Sequence, residues 1–137
     1  MLARSPEIED LVRAWFAAAS SGDPSLIERH VSRDPATRLI GSDRSERLSG
    51  NAIASFLRGE VEGGGGKATF APTETEAFSE GTVGWATTLL TITLPDGRSV
   101  SPRWSAVLHR EDDEWRFVQT HASIGVSNDD IGWQYAG

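Results

Sequence analysis

Arg103-Trp104-Ser105-Ala106-Val107-Leu108-His109-Arg110, then the acidic turn Glu111-Asp112-Asp113, then Trp115-Arg116-Phe117-Val118-Gln119-Thr120-His121-Ala122-Ser123, is the stretch that decides the fold. Both arms are rich in β-branched and aromatic residues, and the turn between them is short and polar. That pattern predicts two antiparallel strands, at about 98–110 and 114–125. Working back, Pro95-Asp96-Gly97 is a stronger hairpin signal and joins the first arm to a strand at about 82–94, itself preceded by one at about 68–78.

Before Lys67 the period changes. Ile8, Leu11, Val12, Trp15, Phe16 and Ala19 recur at helical spacing, with Ser5 as the cap, Pro6 in the first turn and Glu7, Glu9 and Asp10 near the positive end of the helix dipole. Ser20-Ser21-Gly22-Asp23 ends this helix, and Asp23-Pro24 opens a short second one through about Val31. Ala36–Ile40 reads as a short strand and Gly41-Ser42-Asp43 as a turn. A third helix starts near Gly50, and Gly63 to Gly66 form a flexible loop. Helices first and hairpins after them mean α+β: three N-terminal helices covering one face of a curved antiparallel sheet. We read residues 1–137 as a single domain, with its core at about 6–125 and an irregular tail at 126–137.

Composition sets the outer limits. The chain has 137 residues, enough for one core. Asp and Glu outnumber Lys and Arg 20 to 13, for a formal charge of −7, which argues against a nucleic-acid partner. With no cysteine there is no disulfide, thiolate metal site or cysteine nucleophile, and a cytoplasmic location is expected. Met1–Ser5 lacks the apolar run of a signal peptide. The longest apolar stretch, Trp85 to Leu94, is interrupted by four threonines and is too short to span a bilayer. No membrane partner is expected.

The order α-α-β-α-β-β-β-β over residues 6–125 resembles the cone-shaped nuclear transport factor 2-like superfamily. The Arg103–Arg110 and Trp115–Ser123 segments are similar to the end of its SnoaL-like branch and to the association domain of calcium/calmodulin-dependent kinase. Those families often read Trp-x-Ile/Val-Val-His-x-His-x-Ser in the last strand. Here Gln119 replaces the first histidine, while His121 and Ser123 match. The Trp15-Phe16 stretch and the Ile40-Gly41-Ser42-Asp43 step also resemble that branch. Members isomerise, cyclise polyketides, dehydrate, hydrolyse, transport or only oligomerise, so fold does not supply function.

Alternation along the last strand groups Trp115, Phe117, Gln119, His121 and Ser123 on one face, and Val118, Thr120, Ala122 and Ile124 on the other. The resemblance implies that the His121/Ser123 face looks into the cone. The apolar Val118/Ala122/Ile124 face would then lie outside, with Trp104 beside it, and pair with a second copy as a homodimer.

His121 is the first candidate for proton transfer, since imidazole titrates near neutrality. The plainer reading is a half-buried ring that only shapes the pocket. Arg103 serves as an anion or carbonyl anchor, or as the partner of an internal carboxylate. Asp43 serves as a base, as the partner of Arg103, or as a simple Asx turn with Ser42. Trp15, Phe56, Trp85 and Phe117 are candidate apolar walls, and Ser105, Gln119 and Ser123 candidate polar contacts.

Several motifs are excluded. Gly63-Gly64-Gly65-Gly66-Lys67 is no phosphate loop, because the pattern's first glycine would fall on Val61 and its closing Ser/Thr on Ala68. His30, His109 and His121 make no recognisable metal site, and no cofactor motif exists. No Gly-x-Ser-x-Gly elbow surrounds Ser123. The ketosteroid isomerases of this superfamily use an aspartate base with a tyrosine donor. Aligning their Ala-Thr-x-x-Asp step on Ala36-Thr37 puts Ile40 at the base, and the one tyrosine, Tyr135, is in the tail.

The sequence thus points first to a small-molecule pocket protein of the SnoaL-like kind, binding a mostly apolar carbonyl- or carboxylate-bearing ligand without established turnover. The alternatives are an acid/base enzyme of isomerase, cyclase, dehydratase or hydrolase type using His121, and a dimerisation module.

Overall fold

A computed structural model describes residues 2–64 and 67–132. Eleven elements run in the order β1 (Ala3–Arg4), α1 (Pro6–Ser21), α2 (Ser25–His30), β2 (Arg38–Ile40), β3 (Arg47–Ser49), α3 (Ala52–Gly64), β4 (Thr69–Glu80), β5 (Val83–Thr93), β6 (Ser99–Val100), β7 (Arg103–Glu111) and β8 (Glu114–Ser123). This is the expected α+β arrangement of three helices on a curved, unclosed sheet.

α1 begins where expected. The Ser5 hydroxyl accepts the Ile8 N–H at 3.3 Å, and Pro6 occupies the first turn. It ends at Gly22, whose φ of 76° lets the Gly22 and Asp23 N–H groups close onto the Ala19 and Ala18 carbonyls. Its apolar stripe buries Ile8, Val12 and Phe16 against β4 and β5. The approach is close at Gly84 of β5, where a Cβ would stand 2.4 Å from Ile8 Cδ1. α3 runs through Gly63 and Gly64, so half of the expected glycine loop continues the helix. Gly65, Gly66 and tail residues 133–137, with Tyr135, lie outside the described residues.

The strand order is β1-β4-β5-β7-β8-β2-β3, with β6 pairing β5. The sheet is mixed, because β2 runs parallel to β8 while the other pairings are antiparallel. The long strand expected over 98–110 is broken at Ser101-Pro102, where the Pro102 carbonyl accepts the Leu90 N–H at 3.0 Å. The β7–β8 turn is a two-residue type I′ turn, with Asp112 and Asp113 at φ 51° and 63°.

Two irregularities shape the sheet. In β4 the pairing slips between Thr73 and Glu76, with Glu74 at φ 51°, and Thr88 Oγ1 donates to the Thr73 carbonyl at 2.9 Å. In β8 it slips at Val118: Val107 faces Gln119, but Leu108 faces Phe117. Val118 is the extra residue of a β-bulge, and an extra residue exchanges the faces of everything beyond it.

The main core joins Ile8, Val12, Phe16, Ala77, Ala86, Leu90, Trp104, Ala106, Leu108, Trp115 and Phe117. A smaller one joins Ile27, Val31, Leu39 and Ile53, and Trp15 packs on both. Phe117 lies at the centre of an edge-to-face group, 4.9 Å from Trp15 and 5.8 Å from Trp104 between ring centroids.

Candidate functional site: an apolar cavity under the helices

The inward residues of the sheet and the helices above them line a cavity of about 460 Å³ that opens to the surface. α1 contributes Trp15, Phe16 and Ala19, and α2 contributes Leu26 and Ile27. α3 turns Phe56, Leu57 and Val61 toward it, while the sheet supplies Leu39, Phe70, Leu90, Ile92, Trp104, Thr120 and Ala122. The volume lies within the range of small-molecule sites, roughly 300–1,000 Å³. Polar groups are few: Thr120, Ser42 and the carboxylates of Asp23, Glu46 and Glu60.

The bulge at Val118 decides which part of β8 reaches this space. Before it, Trp115 and Phe117 are buried; after it, Thr120 and Ala122 face inward, opposite Ala106 and Trp104. His121 therefore sits on the outer face, exposed, paired across the sheet with Ser105. This reverses the expectation that His121 and Ser123 look into the cone. Simple alternation fails here because one residue too many stands between Phe117 and Gln119.

The other candidates sort accordingly. Trp15 and Phe56 line the cavity. Phe117 is core, 2% exposed beneath Trp15. Trp85 is on the outer face, stacked on Phe78 at 6.4 Å. Arg103, Ser105, His121 and Ser123 share an open outer cleft with Arg4, Glu74, Glu76 and Leu89. There the Arg103 guanidinium donates to Ser123 Oγ at 3.4 Å. Gln119 is also outside, in a shallow hollow with His109 and Glu111. The expected outer apolar face is corrected too: Ala122 lines the cavity, and Trp104 is buried against Phe16 at 5.1 Å.

Asp43 is exposed in the β2–β3 loop. Its carboxylate accepts the Ser45 hydroxyl and the Ser45 N–H, and these two bonds, the hydroxyl's first, hold its pKa below the usual carboxylate range. The Asx turn is thus made with Ser45, not Ser42. Asp43 meets neither Arg103 nor His121, so the three expected catalytic groups do not converge.

Sequence reasoning missed Glu46. It closes the same loop, accepting the Asp43 N–H on Oε1 at 3.0 Å, while its own carbonyl accepts the Gly41 N–H at 2.8 Å. A Cβ on Gly41 would lie 2.7 Å from both Glu46 Cβ and Oε1, so glycine is what lets this carboxylate pack there. The available signal was the glycine five residues before it, at the end of a strand.

Among the described residues, no group of three His, Asp or Glu side chains is placed to hold a metal ion, and no helix is long and apolar enough to cross a membrane.

Comparison with known proteins places this architecture. The family model described as a SnoaL-like domain matches residues 8–127. A nuclear transport factor 2-like protein of unknown function from Pseudomonas putida is similar in structure, with a TM-score of 0.75 at 15% identity over 98% of this chain and 99% of that one. A nuclear transport factor 2-like superfamily protein from Salmonella enterica serovar Typhimurium has a TM-score of 0.70 at 20% identity, covering 94% and 95%. A protein from Thiobacillus denitrificans whose name describes it as a calcium/calmodulin-dependent protein kinase type II association domain has a TM-score of 0.68 at 21% identity, covering 89% and 96%. No curated protein matches in sequence. With the match extending over nearly the whole fold, the chain belongs to the SnoaL-like domain family.

Proposed function

We propose that this protein binds a mostly apolar small molecule in the cavity beneath its helices, as a pocket protein without established turnover. The observation that carries this reading is the cavity of about 460 Å³ with Trp15, Phe16, Phe56, Phe70 and Trp104 in its wall. Burial of an apolar ligand there supplies the affinity, and Thr120 supplies a polar contact from the sheet. The carboxylate expected on the ligand rested on an inward Arg103, which lies on the opposite face. The enzyme alternative would have to take its substrate in the outer cleft beside His121, Ser105 and Ser123. The test is Ala122→Phe, which fills the cavity from the sheet side. Binding of 4-phenylbenzyl alcohol, followed by calorimetry, should weaken at least tenfold with an unchanged circular dichroism spectrum. Unchanged affinity overturns the reading.

A second reading, homodimerisation through the outer face of the sheet, has its own support. Val83 and Leu89 are each 43% exposed there, beside the Phe78–Trp85 pair. The cleft sets Arg4 and Arg103 near Glu74 and Glu76, so a two-fold related copy can answer its own charges. Proteins whose names describe them as association domains share the fold. A monomer in sedimentation at micromolar concentration would refute this.

A further inference from the structure

The charge of the cavity wall selects among apolar ligands. No lysine, arginine or histidine lines the cavity among the described residues, and residues 65–66 and 133–137 contain none. The three ionisable groups that do line it, Asp23, Glu46 and Glu60, are all carboxylates. Asp23 is already engaged: its Oδ1 accepts the Ser25 N–H at 2.9 Å at the start of α2. Glu60 is exposed on α3.

Glu46 differs from both. It is half-buried and fixed by two contacts within its loop, the Asp43 N–H on Oε1 and the close packing on Gly41. Its Oε2 makes no hydrogen bond among the described residues. A carboxylate held in place at the edge of an aromatic cavity is a preorganised acceptor for a cation.

We propose that the ligand of this cavity is a hydrophobic amine, an aromatic or alicyclic body with a protonated nitrogen, and that Glu46 receives the ammonium. This deepens the reading of the cavity as a ligand site and rests on it. The apolar body fills the space between Trp15, Phe56 and Trp104. The cation pairs with Glu46 and gains from the negative faces of the aromatic rings. An isosteric carboxylate would enter without a counter-charge and face a like charge in the same wall, a doubly unfavourable arrangement.

The test compares 4-phenylbenzylamine, 4-phenylbenzyl alcohol and 4-phenylbenzoate by calorimetry at neutral pH, against the unaltered protein and Glu46→Gln. The amide oxygen introduced by Glu46→Gln can keep the hydrogen bond from the Asp43 N–H, so the loop is preserved. The amine is expected to bind about tenfold tighter than the alcohol, equivalent to about 1.4 kcal/mol, and the benzoate weaker than either. Glu46→Gln should bring the amine level with the alcohol and leave the alcohol's affinity unchanged. Equal binding of amine and alcohol to the unaltered protein, or an amine preference that survives Glu46→Gln, overturns the assignment while leaving the pocket reading intact. If none of the three probes binds, both fall.

Discussion

The two halves of β8 obey the same rule with opposite results. From Trp115 to Phe117 the odd-numbered side chains are buried in the core; from Gln119 to Ser123 the odd-numbered ones stand on the outer face, and Thr120 and Ala122 turn inward. Nothing but the extra residue at Val118 separates them. A motif that resembles a family's last strand therefore does not fix which of its side chains meet the ligand. That depends on a backbone count the motif does not contain. The same strand that builds the core at one end gives the cavity only a threonine and an alanine at the other.

The largest expected effect tests the difference between the halves directly. Phe117→Ala removes a 2% exposed ring from contact with Trp15 and Trp104, and should cost about 3–5 kcal/mol in urea unfolding. Gln119→Ala, on the other side of the bulge and exposed, should shift stability by no more than about 0.5 kcal/mol. Similar costs at the two positions would mean that the bulge is absent in solution and that the alternation runs unbroken.

Much of the fold was readable because its signals are local. Ser5, Pro6 and Gly22 bound α1 by satisfying or omitting particular backbone groups, and Pro95-Asp96-Gly97 sets its turn through Gly97 at φ 88°. What escaped the sequence is non-local. Val118 is as good a strand residue as its neighbours, so nothing in its side chain marks it as the extra one; the bulge appears only in its pairing with β7. β3 is three residues of mixed polarity, Arg47-Leu48-Ser49, and exists because β2 offers it an edge. The cavity was half legible: Trp15 and Phe56 follow from helical period, whereas Glu46 depends on how a loop closes over Gly41.

A smaller effect sharpens the comparison at the sheet edge, where the two faces are tied together. Arg4 lies in the outer cleft, over the Phe78 ring at 5.6 Å, and reaches Glu9 of α1 on the helix side at 2.7 Å. The Arg4 hydrogen bond, helped by the Ala77 N–H and opposed by burial, holds the Glu9 carboxyl below its ordinary value. Glu114, at the start of β8, is lowered in the same way, chiefly by its hydrogen bond from Arg29. A carboxyl whose pKa is lower folded than unfolded contributes its full stabilisation above the unfolded value, about 4.3. That contribution is lost as pH falls through the lower, folded value. Unfolding midpoints measured from pH 6 downward should therefore decline below about pH 4.5. Glu9→Gln should lower stability at pH 6 and flatten the acid limb. An unchanged limb in Glu9→Gln would mean that Arg4 and Glu9 do not pair in solution.

The smallest expected effect is the most diagnostic. His121→Ala removes the one imidazole in the strand whose resemblance suggested a catalytic site. If the ring stands outside, as its pairing with Ser105 requires, the cavity keeps its wall, its volume and its Glu46 carboxylate. Binding of 4-phenylbenzyl alcohol should then be unchanged, within about twofold, and so should the amine preference. An exposed histidine without a hydrogen bond among the described residues also has little packing to lose, so stability should move by no more than about 0.5 kcal/mol. Loss of alcohol binding in His121→Ala would return the imidazole to the cavity and restore unbroken alternation along β8. A variant that binds normally but sediments differently would instead tie His121 to the outer face as an association surface, the role the charges of Arg4, Arg103, Glu74 and Glu76 support there.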